Sequence, residues 1–307
     1  SLYTLIKGNS LCEPVIADIR NKEKLEDELL SFDPDFIFHF AAQSLVRRSY
    51  KSPLETFDIN GMGTAYLLEA IKNQEKQCQV IVITTDKVYE NLEKQYAYKE
   101  TDKLGGFDPY SSSKACAEII TRSYRFSFFN PEKHVSHGKA LATARSGNVI
   151  GGGDWSADRI VPDLIRALQT GKRLKVRNPN ATRPWQHVLE PLSGYLLLGN
   201  HLKKDPVSFA DAFNFGPRVD DQLSVNELVK IAIDSWGSGE FEEDTNADNP
   251  HEARILELDI QKAERQLGWI PKLDSREAIS QTIQWYKEYE SDPLGCMNRQ
   301  IVNYYES

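Results

Sequence analysis

The sequence predicts an α/β protein: a parallel sheet wound by helices on both faces, with a smaller, mainly C-terminal α/β lobe. Three observations predict it. Short apolar, β-branched runs without helical period recur at "DFIFHFAA" from Asp35, "QVIVITT" from Gln79 and "GKALATARSGNVIG" from Gly138, the pattern of strands buried on both faces. Between them lie "LETFDINGMGTAYLLEAIKNQ" and "SSSKACAEIITRSYRFSFF", which have helical length and period. Strand and helix therefore alternate as right-handed βαβ crossovers require. Beyond Asn148 the turn cluster "GGGDW" marks a shift to scarcer strands and more dispersed helices.

Each element has a local reason. The Asp35 run ends in "HFAAQS" and the Gln79 run in "TTDK", so both strands finish in polar residues at the rim where sheets of this kind bind ligands. "DPYSSSK", Asp108 to Lys114, opens the helix that follows the second strand. In the second lobe "SVNELVKIAIDSW" begins with a capping box, Ser224 and Glu227, and Asp259 is placed to cap "IQKAERQLGW". The tail "SDPLGCMNRQIVNYYES" carries no pattern that assigns it.

Composition narrows the classes of function. The chain has 307 residues, 37 basic against 45 acidic, and a net charge of −8. That length supports a large core or two domains. The basic residues are scattered, which offers nothing to a nucleic-acid backbone, and no apolar run is long enough to span a bilayer. Cys12, Cys78, Cys116 and Cys296 form no CxxC pair, as expected of reduced thiols in the cytoplasm. His134 and His137 lie close in a loop-like stretch, but the histidines lack ligand spacing and no metal is expected. The opening "SLYTLIKGN" reads as the interior of a longer chain.

The chemical residues cluster at the strand ends. A tyrosine four residues before a lysine is weak evidence alone, since about one chance match is expected in a chain of this size, and Tyr3 with Lys7 also matches. Tyr110 and Lys114 differ in position, one turn apart on a helix that follows the strand ending at Thr85. A phenol titrates near 10, so Tyr110 becomes a base near neutrality only if an ammonium such as Lys114 stabilises the phenolate. The bland alternatives are a solvated helix face for that pair and a strand-to-helix cap for "TTDK".

These residues, with "TTDKVYEN", "GGFDPYSSSK", "RSGNVIGGGDW" and "RPWQHVLEPLSGY", resemble the extended short-chain dehydrogenases/reductases, and within them the nucleotide-sugar 4,6-dehydratases. The resemblance covers nearly the whole chain. It implies a Rossmann-type dinucleotide-binding domain at 1–147 and 183–217, and a nucleotide-sugar domain at 148–182 and 218–307. It implies NAD as cofactor, although the glycine fingerprint that seats the pyrophosphate in relatives is absent from these residues.

The resemblance also assigns roles. Tyr110 matches the base that takes the C4 hydroxyl proton, Lys114 its partner and ribose anchor, and Thr85 the hydroxyl bonding the carbonyl oxygen. Asp86 matches the acid that protonates the departing C6 hydroxyl, which requires a protonated carboxyl. Relatives acting on dTDP-glucose carry glutamate at the next position, where this chain has Lys87. That lysine is read as the C5 base, with electrostatic stabilisation of the enolate as the alternative. Asp18 and Ile19 match adenine contacts, Ala41, Ala42 and Gln43 the turn beside the nicotinamide ribose, and Thr84 and Asn60 further cofactor positions. Asn148, Arg159, Arg183 and His251 match the substrate side.

Lyase activity on a nucleotide-sugar, by C4 oxidation, loss of water across C5 and C6 and hydride return, is the leading expectation. A 4-epimerase or reductase on the same scaffold, or a catalytically silent binding protein, stands against it. Relatives also lead one to expect a homodimer or higher homo-oligomer, built on the helices carrying Asn60 and Tyr110.

Overall fold

The computed structural model describes residues 2–244 and 256–306. Four parallel strands, β1 (Phe36–His39), β2 (Cys78–Thr85), β3 (Lys139–Ser146) and β8 (Ala212–Phe215), pair in the order β1-β2-β3-β8. The expected runs at Asp35 and Gln79 hold their places. The third is split: β3 stops at Ser146, and Val149–Ile150 forms β4, which pairs with β7 (Gln186–His187) outside the main sheet. Two glycines bound the break, Gly147 and Gly151, and Gly147 packs against Pro184.

Period-2 alternation sorts the sheet's side chains onto two faces. Val80, Val82 and Leu141 pack with Leu67, Leu68 and Ile71 of α2 (Gly63–Lys72) on one face. Ile81, Ala142 and Ala144 pack with Leu198 and Leu202 of α5 (Leu189–Lys204) on the other. The long helix α3 (Pro109–Ser127) lies beside α2 and against β2 and β3. Both faces are thus covered by helix, as the sequence predicted.

The expected helix over 54–74 is interrupted. Pro53–Phe57 is helical, Asp58–Met62 widens into a π turn, and α2 follows. Such a turn, frequent at functional sites, here carries Asn60 into the body of the protein. Asp259 accepts the amide of Gln261 at 2.8 Å, but the segment that follows is largely a π turn at Ala263–Leu267 rather than a full helix.

A second core gathers Leu164 and Ile165 of α4 (Ile160–Gln169), Leu228 and Ala232 of α6 (Val225–Trp236), and Ile279 and Ile283 of α7 (Ser275–Glu288). Short strands edge it, β5 (Leu174–Val176) with β10 (Phe241–Glu243), and β6 (Thr182–Arg183) with β9 (Leu223–Ser224). The Ser224–Glu227 capping box forms as expected. The unassigned tail is a helix, α8 (Pro293–Glu306), anchored by buried Cys296 and Tyr304.

Candidate active site

The carboxyl ends of β2 and β3 open onto a cavity of about 900 Å³, lined from both lobes. β2 ends in two threonines that face opposite ways. Thr85 lies beside the Tyr110 phenol and donates to Asp86 Oδ1 at 2.8 Å. Asp86 and Lys87 follow in a single tight turn, N-capped by Thr85. Asp86 is fully buried, its Oδ1 lies 3.4 Å from Lys87 Nζ, and its Oδ2 has no partner among the described residues.

α3 starts where it does because Asp108 caps it, accepting Ser111 N at 3.0 Å and Ser111 Oγ at 2.6 Å, with Pro109 in the first turn. Gly106 makes the approach possible. Its φ is +105°, and a Cβ there would meet the Ser111 backbone at 2.6 Å. The helix then presents Tyr110 to the cavity and Lys114 to the sheet, where Nζ donates to the Ile83 carbonyl at 3.0 Å.

Burial pushes the Tyr110 phenol up to about 12, outweighing the Thr85 hydrogen bond and the positive charge of Arg159. Lys114 does not hold it down in this state; its own amine is pulled down to about 8 by burial, against the opposing charge of Glu118. His39, at the end of β1, is kept neutral by burial, down to about 3.

Not all expected cofactor residues face the cavity. Asn60 is consumed internally: Oδ1 accepts Gln43 N at 2.8 Å, and Nδ2 donates to Gln43 O at 3.0 Å and Ser113 Oγ at 2.8 Å. Gln43 folds back on Leu45 and Thr56. These two brace the turn after β1 against α3 and leave no side-chain group for a ligand. Thr84 lines the cavity, but its hydroxyl donates to Glu118. Asp18 is exposed and held by Arg20, which keeps its carboxyl down at about 2. Ile19 packs on Gly63, and Ala41 and Ala42 lie in the open turn after β1. None of these four lines the cavity.

On the substrate side, Asn148, Arg159 and Arg183 do line it. Asn148 Oδ1 is buried without a partner among the described residues. Arg159 donates to Asp154 Oδ2 and Ser44 Oγ, both at 2.9 Å, and Arg183 Nη1 to Thr182 O at 2.9 Å. His251 lies outside the described residues. The sequence reading missed Arg47 and Arg177, which both reach Asp158 Oδ1 at 3.4 Å across the cavity. It missed His187 too, whose ring is neutral down to about 4 because it is buried. The basic pair "RR" after "HFAAQS" is the one sequence signal for Arg47.

A cofactor of the dinucleotide class fits what is present. Lys114, which is buried and does not itself line the cavity, has three N–H donors and uses one on Ile83 O, so two could serve ribose hydroxyls brought to the sheet rim.

A parallel α/β sheet with this threonine, tyrosine and lysine at its carboxyl rim defines a Rossmann-type, short-chain dehydrogenase/reductase fold. The comparisons agree: a double mutant of dTDP-glucose 4,6-dehydratase from Streptomyces venezuelae, solved with NAD, superposes with a TM-score of 0.77 at 25% identity, covering 92% of this chain and 83% of that one. The family model described as GDP-mannose 4,6 dehydratase matches residues 7–282, and the chain belongs to that family. Among curated relatives it is 43% identical over 306 residues to CDP-glucose 4,6-dehydratase of Salmonella typhimurium, spanning 99% of this chain and 85% of the relative. It is 28% identical over 290 residues to dTDP-glucose 4,6-dehydratase of Streptomyces antibioticus, spanning 93% and 81%.

Proposed function

We propose that this chain is an NAD-dependent lyase that converts CDP-glucose to CDP-4-keto-6-deoxyglucose. The observation that carries the reading is the convergence of Thr85, Asp86, Lys87 and Tyr110 at one strand end, beside a cavity with arginines on its far wall. Likeness to the Salmonella typhimurium enzyme supports the cytidine nucleotide. Lys114 and Tyr110 would hold NAD at the rim. When bound, NAD accepts and returns a hydride, and its cationic ring favours the phenolate.

The chain's residues divide the remaining work. Tyr110 removes the C4 hydroxyl proton while Thr85, beside the phenol, turns its hydroxyl to the same oxygen. The 4-keto group acidifies C5. Lys87 and Asp86 then act as a couple, because a proton passed across their 3.4 Å contact yields a neutral amine and a carboxylic acid together. The amine takes the C5 proton, the acid protonates the C6 oxygen, and water leaves. After hydride returns to C6, Lys87 gives its proton back to C5. Arg159 and Arg183 suit the diphosphate through forked donors.

The division into a dinucleotide domain and a nucleotide-sugar domain is supported by the separation of the sheet's core from the core around α4, α6 and α7, although Trp185 of the 183–217 stretch packs in the latter and Leu256, Leu258, Ile260, Ala263, Leu267 and Trp269 of the 218–307 stretch pack against the sheet. Exposed Met62, Ile119 and Phe126 on the helices carrying Asn60 and Tyr110 support a homodimer or larger oligomer. Among the described residues no helix is long and apolar enough to cross a membrane, and four free cysteines fit a cytoplasmic enzyme.

The test incubates the full-length protein with NAD and a panel of nucleotide-activated glucoses. Formation of 4-keto-6-deoxy product from CDP-glucose, without net NADH, is the expected result. Inversion at C4 with C6 still hydroxylated would establish an epimerase instead, and net NADH a dehydrogenase.

A further inference from the structure

Three consecutive residues of β2 meet one stripe of α3. Thr85 lies beside the Tyr110 phenol, the Ile83 carbonyl accepts from Lys114 at 3.0 Å, and the Thr84 hydroxyl donates to Glu118 Oε1 at 2.5 Å. Tyr110, Lys114 and Glu118 are successive members of a four-residue spacing, so they lie along one face of the helix. The first two belong to the proposed site. Glu118 does not line the cavity and takes no part in the chemistry above.

Glu118 is nevertheless the most heavily bonded carboxylate near the site. Besides Thr84 it accepts Thr143 Oγ1 at 2.8 Å, and Arg145 Nε and Nη2 at 2.9 and 2.8 Å. Both partners of the ion pair are under 5% exposed. Arg145 Nη1 continues to Tyr89 Oη at 2.9 Å, and Tyr89 to Asn214 Oδ1 at 2.7 Å. The network therefore ties α3 to β2, β3 and β8 with each carboxylate oxygen doubly satisfied. A bidentate guanidinium–carboxylate pair is strict in geometry as well as strong, and a fully connected buried network rigidifies its elements.

We propose that Glu118, clamped by Arg145, is a positioning residue for the Thr85–Tyr110–Lys114 group: it sets the register of α3 against the end of β2 and fixes a buried negative charge one helical turn beyond Lys114. The inference rests on the reading of that group as the catalytic one.

Charge supports the geometry. Burial pulls the Lys114 amine down to about 8, and the charge that opposes this is Glu118. The other titratable groups facing Lys114 are neutral, His39 from β1 and Tyr110 on its own helix. The π turn contributes Asn60, which is uncharged. Around Glu118 stand Arg145, already paired, Tyr89, and Arg125 of α3. Neutralising Glu118 removes the one influence raising Lys114, so its proton is lost nearer neutrality.

The experiment compares Glu118→Gln, Glu118→Asp and the double variant Glu118→Gln/Arg145→Gln with the wild type, measuring kcat for CDP-glucose dehydration from pH 6 to 10. The double variant leaves no buried unpaired charge, so folding does not confound it. In both Gln variants the alkaline limb of kcat moves about one pH unit toward neutrality, roughly a fivefold loss at pH 8. Glu118→Asp keeps the limb in place while lowering kcat throughout. A folded Gln variant with an unmoved limb, or an equal shift in Glu118→Asp, overturns the proposal. Full activity in Lys114→Met would instead overturn the reading of the site itself.

Discussion

Replacing Asp86 by asparagine separates the two halves of the proposed reaction. The side chain keeps its size and can still accept from Thr85, whose hydroxyl lies 2.8 Å away, so C4 oxidation by Tyr110 survives. What is lost is the acid and the partner of Lys87. At the observed 3.4 Å the charge pair interacts by at most about 5 kcal/mol at an effective dielectric of 20, reduced by the water that reaches Lys87. Removal of a positioned general acid costs about 10²- to 10⁴-fold, or roughly 3–5 kcal/mol of barrier. The assay is a single turnover of CDP-glucose followed at 340 nm, with product quenched and identified. In Asp86→Asn, NADH builds up and persists while 4-keto-6-deoxy product forms at least about 100-fold more slowly. Product formation at the wild-type rate, or a slow reaction with no NADH build-up, refutes the assignment of Asp86 to elimination.

Tyr110→Phe removes the phenol alone and should lower kcat by about 10²- to 10⁴-fold with an unchanged melting temperature, measured by product formation beside thermal denaturation. Gly106→Ala should destabilise by more than about 1 kcal/mol in urea unfolding, because the φ of +105° and the 2.6 Å approach to Ser111 admit no side chain. Lys114 titrates lower in the folded chain, at about 8 against an ordinary 10.5, so the unfolded state holds more protons between those values. Stability should therefore rise with pH across that window by up to roughly 3 kcal/mol, a rise that Lys114→Met abolishes in urea titrations. Arg159→Ala, which empties one wall of the cavity, should raise the KM for CDP-glucose about tenfold with a smaller change in kcat, the split expected of a binding residue.

The parts of the fold that were legible in the sequence are those whose cause is local. β1, β2 and α3 announce themselves by apolar runs and helical period, and Tyr110 and Lys114 share a face by spacing alone. β8 escaped because Asn214 breaks its apolar run "AFNF"; that asparagine is buried only because Tyr89, Tyr98 and Asp259, distant in sequence, satisfy it. The same reason hid the Glu118–Arg145 pair, whose members lie on different elements 27 positions apart. The sequence reading also could not foresee how the chain itself uses its polar rim residues. Asn60, Gln43 and Thr84 have the right chemistry and place, but the chain itself uses their hydrogen-bonding groups. Spacing reveals which residues are near a site, and only the count of donors and acceptors reveals which are free for a ligand.

That count resolves how a chain of net charge −8 can offer a seat to an anion. Most of the cavity cations arrive with acids of their own: Arg159 with Asp154, Lys87 with Asp86, Lys175 with Glu242, and Arg47 and Arg177 sharing Asp158. In the last trio one carboxylate serves two guanidinium groups, both through Oδ1 at 3.4 Å, from a residue held at a φ of +62°. Left-handed backbone at a non-glycine position is costly, and the contacts it secures are long. The local positive charge is therefore balanced rather than absent, and binding of a diphosphate depends on out-competing those acids at close range. A long-range field would steer ligands from solution and fade with salt; short, forked contacts at arginines select by shape and are screened far less once buried. Under the proposed function, recognition in this cavity would thus be a matter of geometry at a few guanidinium groups, set in a chain whose net charge opposes an anionic ligand.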